Sequence, residues 1–187
     1  MKIVLLTRSE ARVEILRSIG FKVEVSPTDI VEVKSGDPVK VVRENAFRKF
    51  SVREDIEDLR AAFDTVIYLD GDLIGKPSDR DEAREFLMKL SGKWHTVHTG
   101  FVVGWRDKFV WGHEATKVLF RSLKDDDIEW YLSKGEYVGA AGGYRIQGYG
   151  IVLVERIEGD YTNVIGLPLR KFLEALESLG IDYRKII

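Results

Sequence analysis

Asp64 lies inside the apolar run Phe63-Asp64-Thr65-Val66-Ile67. A carboxylate at a strand position either meets a partner or does chemistry, because burying it uncompensated is costly. Hard carboxylate oxygens are what magnesium or manganese bound to phosphates requires. A solvent-facing position is the plainer explanation for one strand aspartate taken alone. A second segment, Thr7-Arg8-Ser9-Glu10-Ala11-Arg12, stands where a short apolar run gives way to a helical pattern. Free backbone N–H groups and the positive end of the helix dipole make such a junction an anion site. Thr7 and Ser9 add hydroxyls there, and Arg12 adds a fork that matches phosphate oxygens. Taken alone, the segment is better explained by a cap at Ser9 and a solvated Arg12.

Two glycine-rich segments carry further candidates. Gly71-x-x-x-Gly75-Lys76-Pro77 resembles a Walker phosphate loop but is one residue short, and Pro77 stands where a hydroxyl must bind magnesium. The Walker reading is rejected, while Lys76, fixed between Gly75 and Pro77, is either a positioned phosphate-binding cation or a surface lysine. Gly142-Gly143-Tyr144-Arg145-Ile146-Gln147-Gly148 holds the only glutamine of the chain. Its carboxamide offers a donor and an acceptor for the edge of a base. The chain has only two asparagines, Asn45 and Asn163, so these three amides are marked as positions with a specific use. His95, His98 and His113 show no metal-ligand spacing, which argues against a zinc enzyme.

The elements that must position these residues follow from periodicity. Lys2–Leu6 reads as a buried strand, followed by a helix from a Ser9 cap to Gly20 and a strand over Phe21–Val25. Asp37-Pro38 opens a helix to about Glu54. Phe63–Leu69 is a strand, and Asp70-Gly71 turns it into a hairpin with Asp72–Ile74. Ser78 and Ser122 read as caps of helices ending near Leu90 and Ser133. Lys93–Gly104 and Phe109–Phe120 are strands joined at Arg106-Asp107. Gly135–Gly150 is a loop, Ile151–Ile157 a strand, and Leu167-Pro168 opens a last helix to Leu179. Interleaved helices and strands make the class α/β with a mixed sheet.

Composition bounds the rest. The chain has 187 residues, 44% hydrophobic and 32% charged, with 29 Lys+Arg against 31 Asp+Glu and a net charge of −2. That balance argues against a nucleic-acid binder working by bulk positive charge. The absence of cysteine excludes disulfides, thiolate metal sites and a cysteine nucleophile. Few amides with many Glu, Lys and Arg is the balance expected of heat adaptation. The start turns charged after a short apolar run, so it reads as neither a signal peptide nor a membrane span, and a cytoplasmic protein is expected.

In this order the segments resemble the Maf family of nucleoside triphosphate pyrophosphatases. The likeness runs through Ser9–Leu16, Asn45-Ala46-Phe47-Arg48-Lys49, Asp64-Thr65-Val66 to Gly75-Lys76-Pro77, Leu90–Gly100, Ala141–Gly148 and Gly159–Pro168, nearly the whole chain. All three amides fall inside these motifs. The resemblance implies an elongated α/β fold, related to inosine triphosphatases, with a mixed sheet, flanking helices and two lobes around a deep cleft in one domain. It also implies hydrolysis of dTTP and UTP between the α and β phosphates with a divalent metal, magnesium or manganese, by a homodimer. By matched position, Asp64 would take the proton of the attacking water, Asp64 and Glu32 would hold the metal, and Lys49 and Lys76 would neutralise the triphosphate. Ser9 and Thr7 would bind phosphate, while Arg12, Thr65 and Gln147 would set base choice. The chain departs from the pattern at Glu10 and Ala11, in place of a proline and an arginine, and at Phe63, in place of a small residue. A non-enzymatic nucleotide-binding regulator of cell division, or the same reaction on a purine or modified nucleotide, stay open as alternatives.

Overall fold

A computed structural model describes residues 1–53 and 58–187. Its seven strands form one mixed sheet, β1 (Ile3–Leu5), β2 (Val23–Val25), β3 (Leu59–Leu69), β4 (Asp72–Ile74), β5 (Trp94–Trp105), β6 (Lys108–Phe120) and β7 (Val154–Glu158). The order is β2-β1-β3-β5-β6-β7, with β4 paired to β3 off that path. β1 runs parallel to both β2 and β3, and every other pairing is antiparallel. The helices are α1 (Glu10–Ser18), α2 (Pro38–Ser51), α3 (Arg80–Leu90), α4 (Asp125–Leu132), α5 (Tyr161–Ile165) and α6 (Leu169–Ser178). The α/β class expected from sequence is the one found.

The detail that creates the site is a gap in one strand edge. β1 pairs with β3 only through Leu59, Arg60 and Ala61, and β4 pairs with β3 only from Ile67 to Leu69. Ala62 to Val66 lie between those two pairings, and no strand among the described residues covers them on that edge. At strand rise the gap is about 17 Å long. Successive residues of β3 point to opposite faces, so Asp64 faces α2 and Thr65 faces the other layer.

Buried apolar residues fall into three clusters. Phe63, Phe101 and Phe172 centre one under α1 and α6. Val4, Ala46, Phe50, Ala62 and Val102 form a second under α2. Ile67, Leu87, Phe120, Tyr131 and Tyr144 centre a third around β4, α3 and α4. α2 can press close to the sheet because Gly100 lies beneath it: a Cβ there would fall 2.9 Å from the Val42 carbonyl carbon and 2.7 Å from the Trp111 ring.

Several boundaries differ from the sequence reading. β3 begins at Leu59 rather than Phe63, because the Arg60 guanidinium lies over the Phe50 ring at 4.4 Å and so enters the core despite its charge. The cap of α3 is Asp79, whose side chain accepts from Glu82 N, and not Ser78. α4 starts after Lys124, whose N–H donates to Asp127, so Ser122 is no cap. Tyr149–Leu153 coils as a 3-10 turn and β7 starts only at Val154. α5 was not anticipated, being five residues long and held by an Asp160 cap. α2 ends at Ser51, and the expected end at Glu54 lies outside the described residues.

His95 is a packed core residue. It is 2% exposed, its Nε2 lies 2.8 Å from the Tyr144 hydroxyl, and burial lowers its pKa to about 4. Its folded pKa lies below the unfolded 6.5. Above pH 6.5 the ring is neutral in both states and costs nothing. Below that the unfolded chain binds the proton first, so stability falls as the pH drops toward 4. Denaturant titrations should show about 2 kcal/mol lost at pH 5 relative to pH 7 from this group, and His95→Gln should flatten that slope. An unchanged slope would remove His95 from the account.

Candidate active site

α2 presents Asn45 and Lys49 one turn apart on the face toward β3, and both reach Asp64. The Lys49 Nζ lies 2.7 Å from Asp64 Oδ1, and the Asn45 Nδ2 donates to Asp64 Oδ2 at 2.9 Å. Asp64 is 6% exposed. The solvent-facing alternative is therefore excluded. Asn45 also clamps the preceding loop, accepting from Val33 N at 2.8 Å and donating to Val33 O at 3.0 Å. That clamp brings Glu32 to the same lysine, with Lys49 Nζ 2.7 Å from Glu32 Oε1. Burial alone would raise the Glu32 pKa, but the hydrogen bond and charge of Lys49, with Lys76 and Arg12 beyond it, more than offset this and leave it lowered.

Lys76 projects from the loop after β4. It is exposed, yet the protein around its ammonium group lowers its pKa through desolvation first. Glu32 and Asp64 act to raise it, while Arg12 and Lys49 act to lower it. Lys49, Lys76 and Arg12 thus interact by charge with Glu32 and Asp64, three positive groups against two negative ones. The loop itself is anchored by Gly142 N donating to Gly75 O at 2.8 Å.

On the opposite face of β3, Arg12 reaches across from α1. Its Nη2 donates to Thr65 Oγ1 at 2.9 Å, its Nε to Gly166 O at 2.7 Å and its Nη1 to Thr7 Oγ1 at 3.2 Å. Phe63, the unusual bulky residue, is a floor beneath it, with the guanidinium 5.5 Å from the ring centre. Burial lowers the Arg12 pKa to about 10, still well above neutral pH, so the group remains a cation. Thr7 is 7% exposed, and its hydroxyl also accepts from Ser9 N at 3.1 Å. Thr7 therefore shapes the first turn of α1. Ser9 holds the cap position by backbone conformation alone, with no side-chain capping bond.

The structure thus joins Asp64, Lys49 and Glu32 in one ion-pair chain, groups Lys76 with them by charge, and links Arg12, Thr65 and Thr7 by hydrogen bonds. Gln147 is exposed and makes no side-chain hydrogen bond among the described residues. Asn45 is the residue that sequence reasoning undervalued: the scarcity of amides and its place in Asn45-Ala46-Phe47-Arg48-Lys49 mark it, but neither gives it a role. Surface concavities of about 540 Å³ beside Asp160 and Arg170 and about 340 Å³ beside Arg8, Ser9 and Glu14 do not include Asp64 in their lining.

The carboxylates fit a hard divalent cation. Glu32 Oε1 and Asp64 Oδ1 converge on one ammonium nitrogen, each at 2.7 Å, so both oxygens already point at a shared positive centre. Among the described residues no cluster of three or more His, Cys, Asp or Glu side chains forms a closed metal cage. Two carboxylates with the remaining positions left to water and phosphate oxygens is the mode magnesium prefers.

The model of the family described as Maf-like protein matches residues 2–179. A dTTP/UTP pyrophosphatase of Pyrococcus furiosus is 44% identical over 99% of this chain and 98% of its own. One of Thermosipho africanus is 40% identical over 97% of this chain and 95% of its own. A solved structure, that of the Staphylococcus aureus Ham1 protein, aligns with 64% of this chain and 72% of its own at 13% identity and a TM-score of 0.46.

Proposed function

Because the chain belongs to the Maf-like protein family, we propose that it is a nucleoside triphosphate pyrophosphatase, hydrolysing dTTP and UTP to the monophosphate and pyrophosphate. The observation that carries this reading is the buried Asp64 carboxylate held between Lys49 and Asn45 at an uncovered stretch of strand edge. A triphosphate carries about four negative charges, and Lys49 and Lys76 face it as cations, so repulsion toward an attacking oxygen falls. Asp64 accepts the proton of the attacking water. The water oxygen bonds to the α phosphorus, the bond from that phosphorus to the α–β bridging oxygen breaks, and the bridging oxygen leaves with pyrophosphate. Most of the rate gain in this scheme is positioning and charge neutralisation, with the carboxylate adding general-base help.

Asp64 and Glu32 are the residues that would hold a magnesium or manganese ion, which would supply Lewis-acid neutralisation of phosphate charge. Lys49 then holds both carboxylates in place, 2.7 Å from an oxygen of each. Ser9 contributes a hydroxyl at the anion end of α1, with Thr7 holding that turn. Arg12, Thr65 and Gln147 belong to the base-reading part of the site. The working form in this reading is a cytoplasmic homodimer of one domain with two lobes, and gel filtration with light scattering checks the dimer.

A screen of initial rates tests the assignment. With magnesium or manganese, pyrophosphate should appear fastest from dTTP and UTP among the common ribo- and deoxyribonucleoside triphosphates. Fastest release from a purine triphosphate would replace the substrate, and nucleotide binding without any release would replace the enzyme.

A further inference from the structure

We propose that Thr99 is a specificity-determining positioning residue: it takes the hydroxyl proton of Thr65, leaving Thr65 only a lone pair to offer a base. The inference rests on the pyrimidine triphosphate reading above and deepens it.

Thr65 and Thr99 face one another directly across β3 and β5, with their Oγ1 atoms 2.9 Å apart. Either hydroxyl could donate in that pair, and its surroundings choose the direction. Thr99 is 0% exposed, and its Oγ1 lies 3.3 Å from the backbone carbonyl of Asn163. A carbonyl only accepts, so the single Thr99 proton goes there and the Thr99 lone pair is left for the Thr65 proton. Arg12 reinforces the choice. Its Nη2 donates to Thr65 Oγ1 at 2.9 Å, filling one lone pair, and its positive charge repels the hydroxyl proton toward Thr99.

The carbonyl at the end of this chain is itself fixed. Asn163 is 0% exposed, and its Nδ2 donates to Val97 O and Thr116 Oγ1, each at 3.0 Å. Thr116 Oγ1 in turn donates to Asp160 O at 3.0 Å. Thr65 therefore keeps one unused lone pair and no proton. Beside it, Arg12 has three of its five N–H groups committed, one each on Nε, Nη1 and Nη2. The two that remain are donors.

Donors next to a lone acceptor complement an imide edge, in which an N–H is flanked by carbonyl oxygens. Uracil and thymine carry that edge. Cytosine presents a ring nitrogen lone pair at the same position, which would meet the Thr65 lone pair with no proton between them. A site whose buried polar groups are left unpaired by the wrong ligand discriminates strongly.

The experiment measures kcat/KM for UTP, CTP and N3-methyl-UTP with the wild type, Thr99→Val and Thr99→Ser, alongside thermal melts. The wild type should favour UTP over both others by at least about a hundredfold. Thr99→Val frees the Thr65 proton, so the UTP-to-CTP ratio should fall at least about tenfold, through a gain on CTP, while Thr99→Ser holds the wild-type ratio. An unchanged ratio in Thr99→Val, or an equal loss in Thr99→Ser, overturns the proposal. Should Thr99→Val fail to fold, wild-type turnover of N3-methyl-UTP as fast as UTP overturns it without any variant. Failure of the wild type to hydrolyse either UTP or dTTP would overturn the proposed function together with this inference, whereas hydrolysis indifferent to N3 overturns this inference alone.

Discussion

Asp64→Asn should lower kcat for pyrophosphate release on the order of a thousandfold, the middle of the range for losing a positioned general base. The substitution keeps the shape of the side chain and an oxygen for Asn45 to donate to, so the local packing of α2 on β3 has no steric reason to change. What it removes is the basic oxygen and the negative charge that Lys49 neutralises at 2.7 Å. The measurement is a pyrophosphate release assay with the variant's circular dichroism and melting temperature as controls. A folded variant that retains wild-type turnover would show that proton transfer takes place elsewhere.

The second large effect is on stability. Lys49→Met leaves two carboxylates facing a vacated cation position, with Asp64 only 8% exposed at its side chain and Lys49 itself 13% exposed. Breaking a buried pair by removing one partner costs about 3 kcal/mol or more. For a chain of this size that corresponds to a fall of roughly 6–12 °C in Tm. Added magnesium or manganese should narrow the deficit, since any cation held by the native carboxylates and not by the unfolded chain stabilises by mass action. Differential scanning calorimetry with and without the ion reads both parts. A variant that melts with the wild type would mean that the Lys49 ion pairs contribute nothing net, and a deficit indifferent to divalent ions would speak against Asp64 and Glu32 as metal ligands.

How much of this was legible in the sequence depends on whether the signal was local. The hairpin between β3 and β4 was readable because Asp70 and Gly71 both adopt positive φ, at 52° and 101°, which that residue pair tolerates. The helix start at Asp37-Pro38 was readable for a similar reason, the Asp37 side chain accepting from Lys40 N. The burial of Asp64 was not readable, because it depends on where α2 lies, and α2 lies where it does because Gly100, far along the chain, lacks a Cβ. The gap in the strand edge was equally hidden, since it is set by the register of two short strands on either side of Asp64. Motif order marked Asp64, Lys49, Lys76, Arg12 and Thr65 as candidates without that geometry. It could not reveal that Asn45 orients Asp64 and Glu32 together, or that Phe63, already legible as a departure from the family pattern, supports Arg12 from below. Residues that act through a second residue leave no spacing to read.

The central claim is that the Asp64 basin cleaves between the α and β phosphates, and phosphorus NMR of the products from dTTP reads that bond directly. The account predicts dTMP and pyrophosphate in equal amounts, with no orthophosphate in the early time course. Orthophosphate and dTDP as the first products would contradict it, because the bond broken would then be the outer one and the proposed placement of the triphosphate against Asp64 would be wrong.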